Sequence, residues 1–168
     1  MATENVKSAA ITNRDATPSV ANNAQGGIMR MTWGTAEAAA AGDAGSTYRL
    51  CSIPSNARGI TVVLATDDLG TTATLDVGLY QTTANGAAVV DADFFASAVN
   101  ANTAAVAETL VSHEAAAATG YGIEDIEKPL WEALGLTADS TRDYDVVVTS
   151  AGDIDAAGTI TVKVFYTA

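Results

Sequence analysis

Disulfides, histidine pairs and cationic patches are all missing from this sequence. Its 168 residues include one cysteine, Cys51, and one histidine, His113. A single thiol cannot close a disulfide within the chain, and a single imidazole cannot build a two-histidine metal site. Basic residues number 8 against 20 acidic ones, a net charge of −12. A field of that sign repels phosphate, which disfavours nucleic-acid binding and favours basic partners. No run of 18 apolar residues is present, so a membrane-spanning helix is not expected. The opening MATENVKSAA lacks the apolar stretch of a secretory signal. Aromatic residues make up only 6% of the chain. Of the 48% that are apolar, alanine supplies the largest share, so the core must come from few large side chains.

Catalytic signatures are scarce as well. There is no Gly-x-Ser-x-Gly elbow, no phosphate loop and no Gly-x-Gly-x-x-Gly. His113-Glu114 begins like a zinc-protease helix motif but lacks the second histidine. Cys51 falls on an expected strand and reads as a buried, inert thiol. Four close carboxylate pairs occur: Asp67 with Asp68, Asp91 with Asp93, Asp143 with Asp145, and Asp153 with Asp155. None matches a calcium loop, and solvated turns account for most of them, the alternative being a glycosidase-like pair on facing elements. Trp33, Trp131, Tyr48, Tyr80, Tyr121, Tyr144 and Tyr166 either pack in the core or, if exposed together, stack on sugars. No residue is assigned a catalytic, cofactor-binding or metal-binding role. No cofactor is expected, and the chain reads as not an enzyme.

What the sequence does contain is period-two patterning. A chain this long buries about two thirds of its surface, enough for one core. Residues 1–27 read as an extended N-terminal arm, rich in turn formers and carrying Pro18. It is either a loose terminus or an arm that orders on a neighbour. Residues 28–168 form the domain. Ile28 to Trp33 alternates, with Met29, Met31 and Trp33 as the more apolar face. Thr35 to Gly45 reads as a loop. Strands are expected over 47–53, 58–66 and 72–81, the last with Ala73, Leu75, Val77 and Leu79 on one face. Val89-Val90 reads as a short strand and Asp91–Val99 as a short helix capped by Asp91. A short strand near 108–113 follows. A second helix lies within 122–135, with Pro129 at its start and Gly135 past its end. Strands at 143–149 and 158–166 read as a hairpin. The pattern is all-β: an antiparallel β-sandwich or jelly roll with two short inserted helices.

Several segments carry a family likeness. They are Tyr48-Arg-Leu-Cys-Ser-Ile-Pro54 with Asn56-Ala-Arg58, Asp68-Leu-Gly70, Leu75-Asp-Val-Gly-Leu-Tyr80 and Asp91-Ala-Asp-Phe-Phe95. Ile126-Glu-Lys-Pro-Leu-Trp-Glu-Ala-Leu-Gly-Leu136 and the closing stretch Tyr144 to Tyr166 complete the set. Together they resemble tailed-bacteriophage capsid decoration (cement) proteins, which stabilise the head. The resemblance implies a non-enzymatic structural protein of the virion, assembled in the host cytoplasm. It would bind the outer surface of a phage head, with the major capsid protein and itself (as homodimer or homotrimer) as partners. Neither nucleic acid nor membrane would be a partner. The arm would lash onto a neighbouring subunit. No functional residue of the family carries over to a position here. The alternative is a carbohydrate- or host-recognising virion surface module such as a head fibre or adhesin.

Overall fold

The computed structural model describes residues 6–18, 27–102, 104–113 and 120–168. A short helix, α1 (Ala9–Asp15), lies within the arm, capped by the Ser8 hydroxyl, which accepts from the Ile11 amide. Residues 1–5 and 19–26 of the arm, residue 103 and residues 114–119, Glu114 among them, lie outside the described residues. Eight strands follow: β1 (Met29–Ala38), β2 (Thr47–Pro54), β3 (Arg58–Thr66), β4 (Thr74–Gln81), β5 (Val89–Asn100), β6 (Val106–Leu110), β7 (Asp143–Ser150) and β8 (Gly158–Thr167). Between β6 and β7 sits α2 (Leu130–Ala133).

The strands form two antiparallel four-stranded sheets, ordered β1-β8-β3-β6 and β2-β7-β4-β5. Every connection except β4 to β5 crosses from one sheet to the other, which makes this an eight-stranded jelly roll. The core fills the space between the sheets with alternate residues. Ile60, Val62 and Leu64 of β3 and Ile160, Val162 and Val164 of β8 come from one side. Leu75, Val77 and Leu79 of β4 and Tyr144, Val146 and Val148 of β7 come from the other.

Three sequence expectations fail. The supposed helix at 91–99 is part of β5. Pairing with β4 overrides the helix preference of its alanines, and its phenylalanines suit a strand. Val77 pairs with Ala96 and Leu79 with Asp91, so four β5 residues stand opposite Gly78 alone. A Cβ on Gly78 would lie 2.2 Å from the Asp91 carbonyl oxygen, so only glycine lets this large bulge close over β4. The bulge turns Phe94 and Phe95 inward together. Their rings meet edge-on at 5.1 Å, and each lies 5.8 Å from the buried Tyr121 ring. Second, β7 and β8 are not a hairpin: they lie in opposite sheets, and residues 151–157 cross between them. Third, β1 runs on to Ala38 through residues expected to form a loop.

The remaining strands lie where the sequence placed them, to within three residues at either end, while the arm expected to be extended contains α1. Ala73, Leu75, Val77 and Leu79 are fully buried. Gly135 ends the α2 segment in the left-handed region, with φ +72°. At one side of the sandwich, β1 and β2 come together. A Cβ on Gly34 would sit 1.7 Å from the Leu50 carbonyl oxygen, so the backbones touch there. At the other side, β5 is broken by its bulge and β6 is only five residues long.

Candidate functional site

The outward face of the β1-β8-β3-β6 sheet is unusually apolar. Cross-strand partners share a face, and the register places Met29 against Thr167, Met31 against Phe165 and Trp33 against Lys163. On the far side of β8, Phe165 pairs with Thr61 and Lys163 with Val63, and Val63 pairs with Leu110. Met29 is 74% exposed, Met31 48%, Trp33 62% and Leu110 70%. The stripe read from sequence as the apolar face of β1 therefore points to solvent. The cause is the Gly34–Leu50 contact: the inward face of β1 has no room for large side chains, so Thr32, Gly34, Ala36 and Ala38 occupy it. Methionine and tryptophan are residues that interfaces concentrate. Lys163, paired with Glu108, crosses the middle of the face. Thr35 and Thr161 share a 3.0 Å hydroxyl contact toward its acidic end.

That end holds the loops 39–46, 67–73 and 151–157, with residues 101–102 and 104–105 beside them. They contain Asp43, Asp67, Asp68, Asp153 and Asp155, and no lysine or arginine. These aspartates tie the loops together. Asp153 accepts from the Ala44 amide at 2.9 Å, and Asp155 accepts from the Thr71 hydroxyl at 2.8 Å. Asp68 accepts from the Gly70 amide, and Asp67 from the Thr159 amide, each at 2.9 Å. The Thr159 amide holds the Asp67 carboxyl below its usual range. The remaining pairs are dispersed. Asp145 bridges Arg49 at 2.8 Å, and burial, followed by the Asp93 carboxyl, pushes Asp91 up. Among the described residues no group of three or more His, Cys, Asp and Glu side chains converges as metal ligands would, and no helix is long and apolar enough to cross a membrane.

A second feature lies at the opposite end. A cleft of about 350 Å³ is lined by Asn56, Arg58, Pro129, Trp131, Asp139 and Thr167, among others. The Trp131 and Leu130 amides donate to the Ser55 and Ala57 carbonyls at 2.9 and 2.8 Å, which fixes α2 against the β2–β3 turn. Asp139 accepts from the Ser55 hydroxyl at 2.5 Å and the Thr141 amide at 2.8 Å. The Ser55 hydroxyl, then that amide, hold Asp139 in its ionised form.

Core packing accounts for Tyr80, Tyr121 and Tyr144, all buried, while Trp33 is exposed and Trp131 half-buried. His113 stacks on Tyr121 at 5.2 Å, with the rings 11° from parallel. Cys51 is half-buried, and burial pushes its thiol up to about 12 from 9.0. Native Cys51 is therefore expected to react with a disulfide reagent roughly one to two orders of magnitude more slowly than a free thiol, the loss of thiolate outweighing the higher nucleophilicity of a more basic sulfur. The check is to time release of the chromophore before and after denaturation. A native rate matching the denatured one would place the thiol in solvent. Sequence reasoning missed Val63, Leu110 and Phe165 as members of the apolar face, because only the cross-strand register gathers them beside β1.

No family model and no curated protein matches this chain. Solved structures that share its fold include a chain of the cyanophage Pam1 capsid asymmetric unit. It aligns over 85% of this chain and 86% of its own length, at 19% identity and a TM-score of 0.52. A chain in the capsid of Ralstonia phage GP4 aligns over 82% of this chain and 84% of its own, at 22% identity and a TM-score of 0.51. At such identities the likeness is one of fold.

Proposed function

We propose that this chain is a non-enzymatic virion structural protein that binds the outer surface of a phage head and stabilises the shell. The observation that carries the reading is a jelly roll shared, over more than four fifths of the chain, with chains of two phage capsid structures. The net charge of −12 suits a position away from packaged DNA and favours a shell with basic docking sites. The partner is the major capsid protein, and residues 1–27 are the lash that orders on a neighbour. Ordering a segment costs conformational entropy that the new contacts must exceed.

Three measurements test this. Quantitative mass spectrometry of purified particles is expected to give one copy per shell subunit, or a simple fraction of it. Heads lacking the protein are expected to release DNA at a lower temperature, and purified protein to restore them. Deleting residues 1–25 is expected to weaken head binding while leaving the domain folded. A handful of copies per particle, or heads equally stable without the protein, would overturn the reading.

A second reading is favoured by the Trp131 cleft, where a half-exposed indole sits beside Arg58, Asn56 and an ionised Asp139. A flat ring flanked by hydrogen-bonding groups suits a sugar, as a host-recognising surface module would need. Binding on a glycan array that Trp131→Ala abolishes, with loss of adsorption on deletion, would support it over decoration.

A further inference from the structure

We infer that the outward face of the β1-β8-β3-β6 sheet is a self-association surface, covered in solution by the same face of a second copy of this chain. The inference goes beyond the proposed function and stands whether or not the protein acts on a phage head.

The first argument is size. Met29, Met31, Trp33 and Leu110 expose half to three quarters of their surfaces. Together that is on the order of 500 Å², near the top of what monomers leave uncovered. Strand spacing and rise give the sheet a footprint of roughly 500–600 Å². Two such faces bury roughly 1,000–1,200 Å² in total, which just clears the threshold for a specific interface.

The second argument is charge. Two copies of a chain carrying −12 repel each other, so they can meet only where acid is not in surplus. The part of this face that carries the stripe meets that condition. Its central ion pair, Lys163 with Glu108, is neutral overall, Thr35, Thr61 and Thr161 supply uncharged surface, and Glu37 lies at the acidic end of β1, where it accepts from the Thr159 hydroxyl at 2.9 Å. The five loop aspartates lie beyond the Ala38 end of β1, whereas Met29, Met31 and Trp33 occupy its other half. A two-fold axis lying in the face and running across the strands at Trp33 sets indole against indole and keeps most of the footprint in contact, with each Met31 facing Thr35 of the other copy. It also sends the two acidic ends to opposite extremes of the dimer. The geometry is isologous and closed, so assembly through this face stops at two.

The test is sedimentation equilibrium of the isolated full chain from about 1 to 200 µM, a range that brackets the micromolar affinity of a small interface. A monomer–dimer equilibrium is expected. Met31→Lys and Trp33→Lys should each weaken it at least tenfold, with circular dichroism and melting temperature unchanged because both side chains are exposed. Val89→Lys, on the opposite sheet, should leave it as it is. A chain that stays monomeric across the range overturns the inference. So does a dimer that neither face substitution weakens, or an assembly that grows past two. If the chain is monomeric and the same substitutions abolish particle binding, the shell covers this face instead, and the inference fails. Because the measurement contains no virion component, a failed head-binding experiment leaves it standing.

Discussion

Gly34→Ala is expected to destabilise the protein by about 3 kcal/mol or more, at the upper end of the range for overpacking. The added methyl would lie 1.7 Å from the Leu50 carbonyl oxygen, 2.4 Å from its carbon and 2.9 Å from its Cα. All three are backbone atoms, so no rotamer change relieves the clash. β1 has to move away from β2, and the closed side of the sandwich opens. For a chain of this length the melting temperature should fall by on the order of 10 °C. Thermal denaturation followed by circular dichroism checks it. A loss under about 1 kcal/mol would mean that the two strands do not touch there. The same opening should bring the Cys51 thiol, near Thr32, into reach of solvent reagents.

Phe95→Ala is expected to cost about 3–5 kcal/mol, the range for emptying a buried aromatic site. Phe95 has no exposed surface and contacts both Phe94 and Tyr121. Its removal takes away one wall of the cluster that anchors the long β6–β7 segment, where the Tyr121 amide donates to the Phe94 carbonyl at 2.7 Å. Phe95→Leu keeps most of the volume and should lose less than half as much. Urea midpoints for the two variants separate the outcomes. Equal, small losses would show that the cavity collapses or that the bulge does not hold both rings inward.

The same bulge explains where the sequence was legible and where it was not. β3 and β8 were readable because apolar residues alternate there with a period of two along an unbroken stretch of pairing, and β4 because its apolar face alternates along β7; β2 alternates up to Pro54 despite a bulge at Leu50. β5 was not, because four residues opposite one glycine bring consecutive phenylalanines to the same side. That pattern, with a leading aspartate, imitates a capped helix. The β7–β8 connection carries ordinary turn residues, and turn chemistry does not state which sheet the chain enters next. On β1 the apolar stripe was visible but its direction was not. Direction is set by Leu50, a residue on another strand in the other sheet. The wider apolar face was invisible for the same reason, since Phe165, Val63 and Leu110 join Met31 and Trp33 only through register.

The arrangement of the strand borders has a consequence for handling and storage. Open borders of a sheet are where one chain can template another into fibrils. Here β1 and β2 close on each other at Gly34, β5 is kinked by its bulge opposite Gly78, and β6 offers five residues. Little straight, unpaired backbone is left to recruit a foreign strand. A protein built this way can be crowded to high local concentration and still resist amyloid conversion.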